Sequence, residues 1–426
     1  MDDLWVVLPH LGAGGAQKVG LLAAAHFAEQ GLKVRVLSLR RDHPVKHVLP
    51  KRVEVFDLGP DEVVHPWLTN AEDRAFLSRL RRFTLAQMLK LHRLAVRLAV
   101  SASWWLIDRQ MYPGRKTCAT RLLSYGIASL AGHRYVRLRK IVEQNPPKRV
   151  LSLLTKTNVM CCAAVWDLPV HLVVSERNDP RLQRLEPLWN RLRAVFYRRA
   201  NVVTANTEGV LQALQMMGTW QRLALLPNPL PGGLSLDRSK ALQSQRQLEI
   251  LSVARLVPQK GLDVLIRAFG SLPESIRGAW TLIVVGDGPE RQALVDLVAE
   301  EGLTEQVSFQ GFRSDPVLFM RRSSIFALPS RFEGMPNALL EAMASGLPSV
   351  VSDASPGPLE MVRHRIEGLV VPTDDVKAFA EALELLMLDP ELRERCGLAA
   401  KATLRSLEWD VVEPHWRSVL ALPAKA

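Results

Sequence analysis

The feature that most constrains this chain is a rhythm that runs through it twice: a short apolar run, a glycine or proline turn, then a stretch with helical periodicity. Strands that alternate with helices pair in parallel, because each crossover needs a helix, and those helices then cover both faces of the sheet. The first series opens with Leu4–Leu8, the loop carrying Gly12, Gly14 and Gly15, and an apolar-periodic segment over 17–29 that Gly31 ends. Strand-like runs follow at 33–39, 53–58, 150–154, 170–175 and 201–205. Pro227-Asn228-Pro229 and Pro231-Gly232-Gly233 close that half, and a polar stretch follows. A second series then places strands at 248–254, 280–285, 307–310, 325–328 and 349–352. At 426 residues the chain exceeds the roughly 250–300 at which single cores stop growing. The expected architecture is α/β: two Rossmann-like, doubly wound parallel-sheet domains facing each other. The first spans 1–233 and the second 248–418, with a linker at 234–247 and a tail at 419–426. Ligands of such sheets bind outside the carboxyl ends of the strands.

Charge divides the chain the same way. Residues 1–250 hold 37 Lys/Arg against 19 Asp/Glu, and 251–426 hold 18 against 24, within a net charge of +12. The excess concentrates between Arg74 and Arg149, where 17 cations face only Asp108 and Glu143, with Trp104 and Trp105 among them. This stretch breaks the strand–helix rhythm and is expected to be a basic helical insertion in the first domain, over about 72–143. Cations and paired Trp on amphipathic helices suit an anionic membrane surface. A solvated helical face is the plainer alternative, and RNA binding is disfavoured because no RNA-module motif accompanies the charge. Asp2 and Asp3 run straight into apolar sequence, so no secretory leader is expected, and the apolar stretch 94–107 falls short of a spanning helix. Cys118, Cys161, Cys162 and Cys396 lack CxxC spacing and read as buried free thiols of a reducing compartment.

Two segments of the second half carry chemistry. In Phe332-Glu333-Gly334-Met335-Pro336-Asn337-Ala338-Leu339-Leu340-Glu341, Pro336 suits a helix start, since it has no N–H to leave unsatisfied. The free backbone N–H groups of the first turn and the positive end of the helix dipole suit a diphosphate. Glu341 stands four residues after Asn337 on the same helix face, and Glu333 stands in the loop before it. One carboxylate can hold ribose hydroxyls and the other a sugar, although a capped surface helix with solvated acids has the same pattern. In Arg255-Leu256-Val257-Pro258-Gln259-Lys260-Gly261, two cations on one strand-to-helix loop, in the acidic half, suit a pyrophosphate. The rival reading is two surface cations without a partner.

Together these segments resemble the family-4 glycosyltransferases, retaining enzymes of the two-domain GT-B fold, whose domains face across a cleft. Glu333 and Glu341 match that family's pair of acids, and Arg255 and Lys260 match its diphosphate-binding Arg and Lys. The resemblance extends through Val285-Gly286-Asp287-Gly288-Pro289 and Gly346-Leu347-Pro348-Ser349-Val350. It implies transfer of a hexose or N-acetylhexosamine from a nucleotide-sugar, most simply a UDP-sugar, with retention of configuration. It implies no cofactor and no bound metal, the nucleotide-sugar being a substrate. Glu333, Arg255 and Lys260 would be catalytic, and Glu341, Asn337, Pro336, Met335, Gly334 and Gly286 would bind the donor.

Gly12-Ala13-Gly14-Gly15-Ala16-Gln17 is similar to the family's glycine loop. A dinucleotide fingerprint would need glycine in place of Gln17 and an acidic residue closing the next strand, and has neither. Val174-Ser175-Glu176-Arg177-Asn178 lies where many members carry a histidine, and none stands here. Members that build surface polysaccharides and lipid-linked oligosaccharides have a similar Ser-Glu-Arg, an asparagine like Asn158 and an Asn-Pro like 228–229. Gly14, Gly15, Glu176, Arg177 and Asn158 are therefore the acceptor-side and phosphate-loop candidates, with a structural ion pair as the alternative for Glu176 and Arg177. His133 and His171 read as packing or surface residues. Ser355-Pro356-Gly357-Pro358-Leu359-Glu360 resembles a loop near the nucleoside or phosphate, or is a rigid turn. The implied partners are a nucleotide-sugar, a glycan or polyprenyl-diphosphate-linked acceptor and an anionic membrane surface, without nucleic acid. The implied location is cytoplasmic, on the inner face of the cell membrane. A UDP-sugar epimerase of the same fold and a non-catalytic glycan- or membrane-binding protein remain as alternatives.

Overall fold

The computed structural model describes residues 1–40, 44–58, 94–95, 98, 111, 113–115, 117–131, 133–183, 185–231, 246–354 and 356–424. The alternation seen in the sequence becomes two sheets. The strands of the first are β1 (Leu4–Leu8), β2 (Val34–Ser38), β3 (Glu54–Asp57), β4 (Arg149–Leu153), β5 (His171–Glu176), β6 (Val202–Ala205) and β7 (Leu223–Leu225), in the order β3-β2-β1-β4-β5-β6-β7. The strands of the second are β8 (Glu249–Val253), β9 (Thr281–Val285), β10 (Val307–Phe309), β11 (Ile325–Leu328), β12 (Ser349–Ser352) and β13 (Gly368–Val371), in the order β10-β9-β8-β11-β12-β13. Every pairing in the second sheet is parallel. Both series therefore start in the middle of their sheet, build outward to one edge, and return to build the other. The two strands that the sequence did not disclose, β7 and β13, are edge strands of three and four residues, too short for a periodic signal.

The core of the second sheet follows the two-residue period of extended chain. Ile250, Leu282, Val284, Ile325, Ala327 and Val350 point to one side and pack with Phe269, Phe379 and Leu383. Their neighbours Leu251, Ile283, Val285, Phe326, Leu328 and Val351 point to the other and pack with Leu339, Leu340 and Met343. The helix Leu262–Gly270 buries Leu262, Leu265, Ile266 and Phe269, the three- and four-residue spacing of one helical face. Cys161, Cys162 and Cys396 are buried free thiols, as expected, but Cys118 is exposed at the first position of its helix.

The chain divides into two compact units whose boundaries are not contiguous. The first holds 1–175, 184–203 and 217–223, and the second holds 176–183, 204–216 and 224–426. The short segments after β5 and β6 thus belong to the unit of the second sheet. The basic insertion lies largely outside the described residues, as do Trp104, Trp105, most of the linker and Ser355. The described parts of the insertion include the helices Cys118–Ala131 and His133–Gln144. Among the described residues, no helix is long and apolar enough to cross a membrane.

Phe269 is fully buried between sheet and helices. Phe269→Ala is expected to destabilise the second unit by about 3–5 kcal/mol, read as a lower denaturant midpoint at unchanged slope.

Candidate active site

In the second sheet the connection direction reverses between the adjacent strands β8 and β11, and ligands of such sheets bind outside the strand ends at that switch point. The two segments singled out in the sequence are the loops that leave these two strands. The β8 loop is laced to the β9 loop by backbone: Leu256 N donates to Asp287 O at 3.1 Å and Glu290 N to Leu256 O at 3.0 Å. That approach requires Gly286, where a Cβ would lie 1.8 Å from Ala254 O and where φ is +148°. A single 3₁₀ turn, Pro258–Lys260, then ends in Gly261 at φ +61°, where a Cβ would lie 2.0 Å from Pro329 O of the β11 loop. Arg331 N donates to Gln259 O at 2.8 Å, and Gln259 Nε2 returns a 2.8 Å bond to Phe332 O. The two loops are thus fixed against each other along their backbones.

That contact sets the first acid. Lys260 Nζ is ion-paired with Glu333 Oε1, and Ser330 Oγ donates to the same oxygen at 2.8 Å. Both side chains are largely buried. Arg255, by contrast, is exposed and makes no ion pair among the described residues. Gly334 and Pro336 are buried, Met335 and Asn337 half-buried, and the helix Asn337–Ala344 begins where the sequence placed it. Glu341 lies one turn into that helix and is buried.

A chain of hydrogen bonds that the sequence did not disclose holds the start of this helix. Asn228 Nδ2 donates to Met335 O at 3.0 Å and to Asn337 Oδ1 at 2.7 Å, while Asn228 Oδ1 accepts from Arg177 Nη1 at 2.7 Å. Arg177 Nη1 also donates to Leu226 O at 3.2 Å. The guanidinium is buried, and burial pulls its pKa down to about 9. Its Nε and Nη2 have no hydrogen-bond partner, and the same holds for Oδ1 of buried Asn206, whose amide donates to Arg177 O at 3.3 Å. Gly334 packs against this point: a Cβ there would lie 2.1 Å from Arg177 O. From the other side, a Cβ on Gly357 would lie 1.5 Å from Gly334 O. Gly357 belongs to the short helix Pro356–Met361, where the sequence suggested a loop or rigid turn, and that helix also has a second task. Both carboxylate oxygens of Glu360 accept, at 2.9 Å each, from the N–H groups of Glu208 and Gly209 in the first turn of the helix Glu208–Met217.

In the first unit, Gly14 is extended and Gly15 opens the helix Gly15–Glu29. Gln17 folds back over Gly14, where a Cβ would meet its Oε1 at 2.1 Å. The histidines that meet this loop are His10 and His47. His10 Nδ1 accepts from Gly12 N at 3.1 Å, and His47 Nε2 donates to Gly14 O at 3.1 Å. Burial, with Lys18 nearby, lowers the pKa of His47. Neither was named from the sequence: His10 precedes the glycines by two residues and could have been found there, whereas His47 arrives from 33 positions away without a sequence signal. Asn158, an acceptor-side candidate, lies inside the first unit behind β4 and β5. It is fully buried, its Oδ1 accepts from Ser152 Oγ at 2.6 Å, and its Nδ2 donates to Ser175 O and to Tyr197 Oη. Its amide ties β4 to β5 and is spent in doing so. Glu176, at the end of β5, is likewise fully buried.

A groove of about 280 Å³ next to the Pro258 turn includes none of Lys260, Glu333 and Asn337. Both of its cations are already committed, Arg331 to Asp263 and Asp374 and Arg267 to Glu301.

Two doubly wound parallel sheets, with this loop pair at a switch point, define the class as a GT-B-type protein. Across 99% of its length the chain superposes, with a TM-score of 0.72 at 18% identity, on all of the Anabaena protein HepE crystallised with UDP-glucose. Residues 236–403 match the model of the glycosyl transferases group 1 family, so the chain carries a domain of that family. It is 33% identical over 275 residues, or 63% of its length, to an exopolysaccharide phosphotransferase of Streptomyces coelicolor, and covers 28% of that protein. Over 291 residues, 68% of the chain, it is 25% identical to an α-1,4-N-acetyl-D-galactosaminyltransferase of Campylobacter jejuni that is named for an undecaprenol-diphosphate-linked glycan, and covers 78% of it. The chain spans 28% to 61% of the length of three curated relatives that it matches at 31–33% identity.

The Lys260–Glu333 pair yields a stability test. Lys260→Met leaves a buried carboxylate without its cation and is expected to cost roughly 3–5 kcal/mol, most of which the double variant with Glu333→Gln regains. A denaturant double-mutant cycle measures it, and additive single effects would show that the two side chains do not interact.

Proposed function

We propose that the chain is a glycosyltransferase that moves a hexose or N-acetylhexosamine from a UDP-sugar to a glycan or lipid-linked glycan, retaining the anomeric configuration, in surface polysaccharide or glycan synthesis. The observation that carries this reading is the switch-point pair of loops. It sets Lys260 on Glu333 and presents a helix start at Asn337, with Arg255 on the same β8 loop. In this reading the diphosphate meets the positive end of the Asn337 helix together with Arg255 and Lys260. Glu341 takes the ribose hydroxyls and Glu333 the sugar, while Gly286 and Gly334 let backbone approach the ligand closely. The bond from the anomeric carbon to the phosphate oxygen breaks and UDP leaves with the electron pair. The acceptor hydroxyl forms the new bond on the same face, and its proton passes to the departing phosphate. The cations and helix dipole stabilise the charge that develops on that leaving group, the part that a metal plays in other transferases. Gly14 and Gly15 serve the acceptor side.

Two experiments test this reading. A UDP-sugar at 100 times its dissociation constant is expected to stabilise the protein by about 2.7 kcal/mol, seen as a higher melting temperature. Arg255→Ala, at an exposed position, is expected to leave the unliganded melt unchanged and to lower kcat/KM for transfer about 10²–10³-fold. Wild-type turnover by that variant would remove Arg255 from the site. Release of an epimerised UDP-sugar without any acceptor would favour the epimerase reading.

We also propose that the enzyme works on the cytoplasmic face of the cell membrane, held there by the basic stretch from Arg74 to Arg149. Co-sedimentation with vesicles containing phosphatidylglycerol is expected to fall with added salt and with Trp104→Ala/Trp105→Ala. Binding insensitive to both changes would overturn this assignment.

A further inference from the structure

Arg177 is costly to keep as it stands. A buried guanidinium without a counter-charge loses its hydration, and its stranded N–H groups lose more. Only Nη1 is hydrogen-bonded, to Asn228 and to Leu226 O, whereas Nε and Nη2 are buried without a partner. Those two nitrogens form one edge of the planar guanidinium, with their N–H bonds parallel, the geometry that grips two oxygens of a phosphate or carboxylate. A second unpartnered polar atom, Asn206 Oδ1, belongs to the residue whose amide donates to Arg177 O.

The placement of Arg177 says which oxyanion. Asn228 links its Nη1 to Met335 O and Asn337 Oδ1, and its own carbonyl abuts Gly334, so Arg177 is built into the loop and helix start described above. Charge points the same way. Lys260 shares its charge with Glu333 and Arg255 is exposed, so of the cations at this loop only Arg177 is buried without a carboxylate partner.

We propose that the Nε–Nη2 edge of Arg177 is the oxyanion seat for the sugar nucleotide and supplies the buried cation for its diphosphate. This assignment rests on the donor-site reading and adds to it a residue outside the two loops that carried that reading. Asn228 is the positioning residue, since it orients the guanidinium and the helix start together. Asn206 Oδ1 supplies an acceptor for a hydroxyl of the same ligand.

The test measures affinities for UDP, UDP-glucose and UDP-glucuronate by calorimetry, in the wild type, Arg177→Lys and Arg177→Gln. Melts of each variant with and without pyrophosphate accompany them. Lysine keeps the charge but not the two-pronged edge, so Arg177→Lys is expected to weaken UDP and both UDP-sugars roughly 10–100-fold. The pyrophosphate-induced rise in melting temperature, taken against each variant's own unliganded melt, is expected to shrink in both variants. A purely structural arginine would lower the unliganded melt and leave that rise and all three affinities within twofold of wild type, which would overturn the proposal. Selective loss of UDP-glucuronate, with UDP unchanged, would overturn the diphosphate assignment and move the seat to a carboxylate on the sugar. Failure of the wild type to bind any of the three would overturn the donor-site reading and this assignment with it, whereas wild-type binding unaffected by either variant would sink this assignment alone.

Discussion

The structure around the site depends on how closely the β8 and β11 loops approach each other. Gly261 leaves no room for a side chain against Pro329 O, and the Gln259–Arg331 and Gln259–Phe332 bonds knit the same stretch. Lys260 and Glu333 meet because their backbones are already fixed, so little side-chain entropy remains to be lost in pairing them. The exit angle of the chain from β11 then follows, and with it the start of the Asn337 helix. The chemistry-bearing side chains are set by backbone packing first and by charge second.

Charge shows the reverse economy. The acidic half of the chain buries Glu333 and Glu341, and the segment after β5 buries Arg177, each at a place where water is excluded. Glu333 is compensated inside the protein by Lys260 and Ser330, whereas two of the three nitrogens of Arg177 are not. Fold stability alone gives no reason to retain such a group, because an apolar side chain of similar volume would be no less stable.

Much of this was legible in the sequence, and the physical reason is periodicity. Eleven of the strand positions followed from apolar runs separated by turns, and the helix start at Asn337 followed from proline chemistry. Glu333 and Lys260 were named from their local segments. The link from Arg177 through Asn228 to Asn337 was not legible as a unit, because it joins residues 51 and 109 positions apart by single hydrogen bonds that leave no repeating pattern. Arg177 drew notice only for its place in a motif, and Asn158, named for the same reason, is a buried tie. The glycines divide similarly. Gly12, Gly14 and Gly15 stand out as a cluster, whereas Gly334 and Gly357 owe their necessity to backbone partners elsewhere in the chain.

Glu360 caps a helix that begins 152 residues earlier, and the segments 176–183 and 204–216 pack with sequence that follows them. On a ribosome adding about 5–20 residues per second, the first turn of the helix Glu208–Met217 waits roughly 8–30 s for its cap. Asn228 reaches Arg177 early in that interval, but the loop at Gly334 that Arg177 abuts is made only near its end, and the N-terminal sheet is complete before the pieces hanging from its strand ends have that loop to pack on. The division of the molecule in space is therefore not its division in time. The chain emerges as one sheet with loose ends, and those ends are claimed only when the C-terminal half is made.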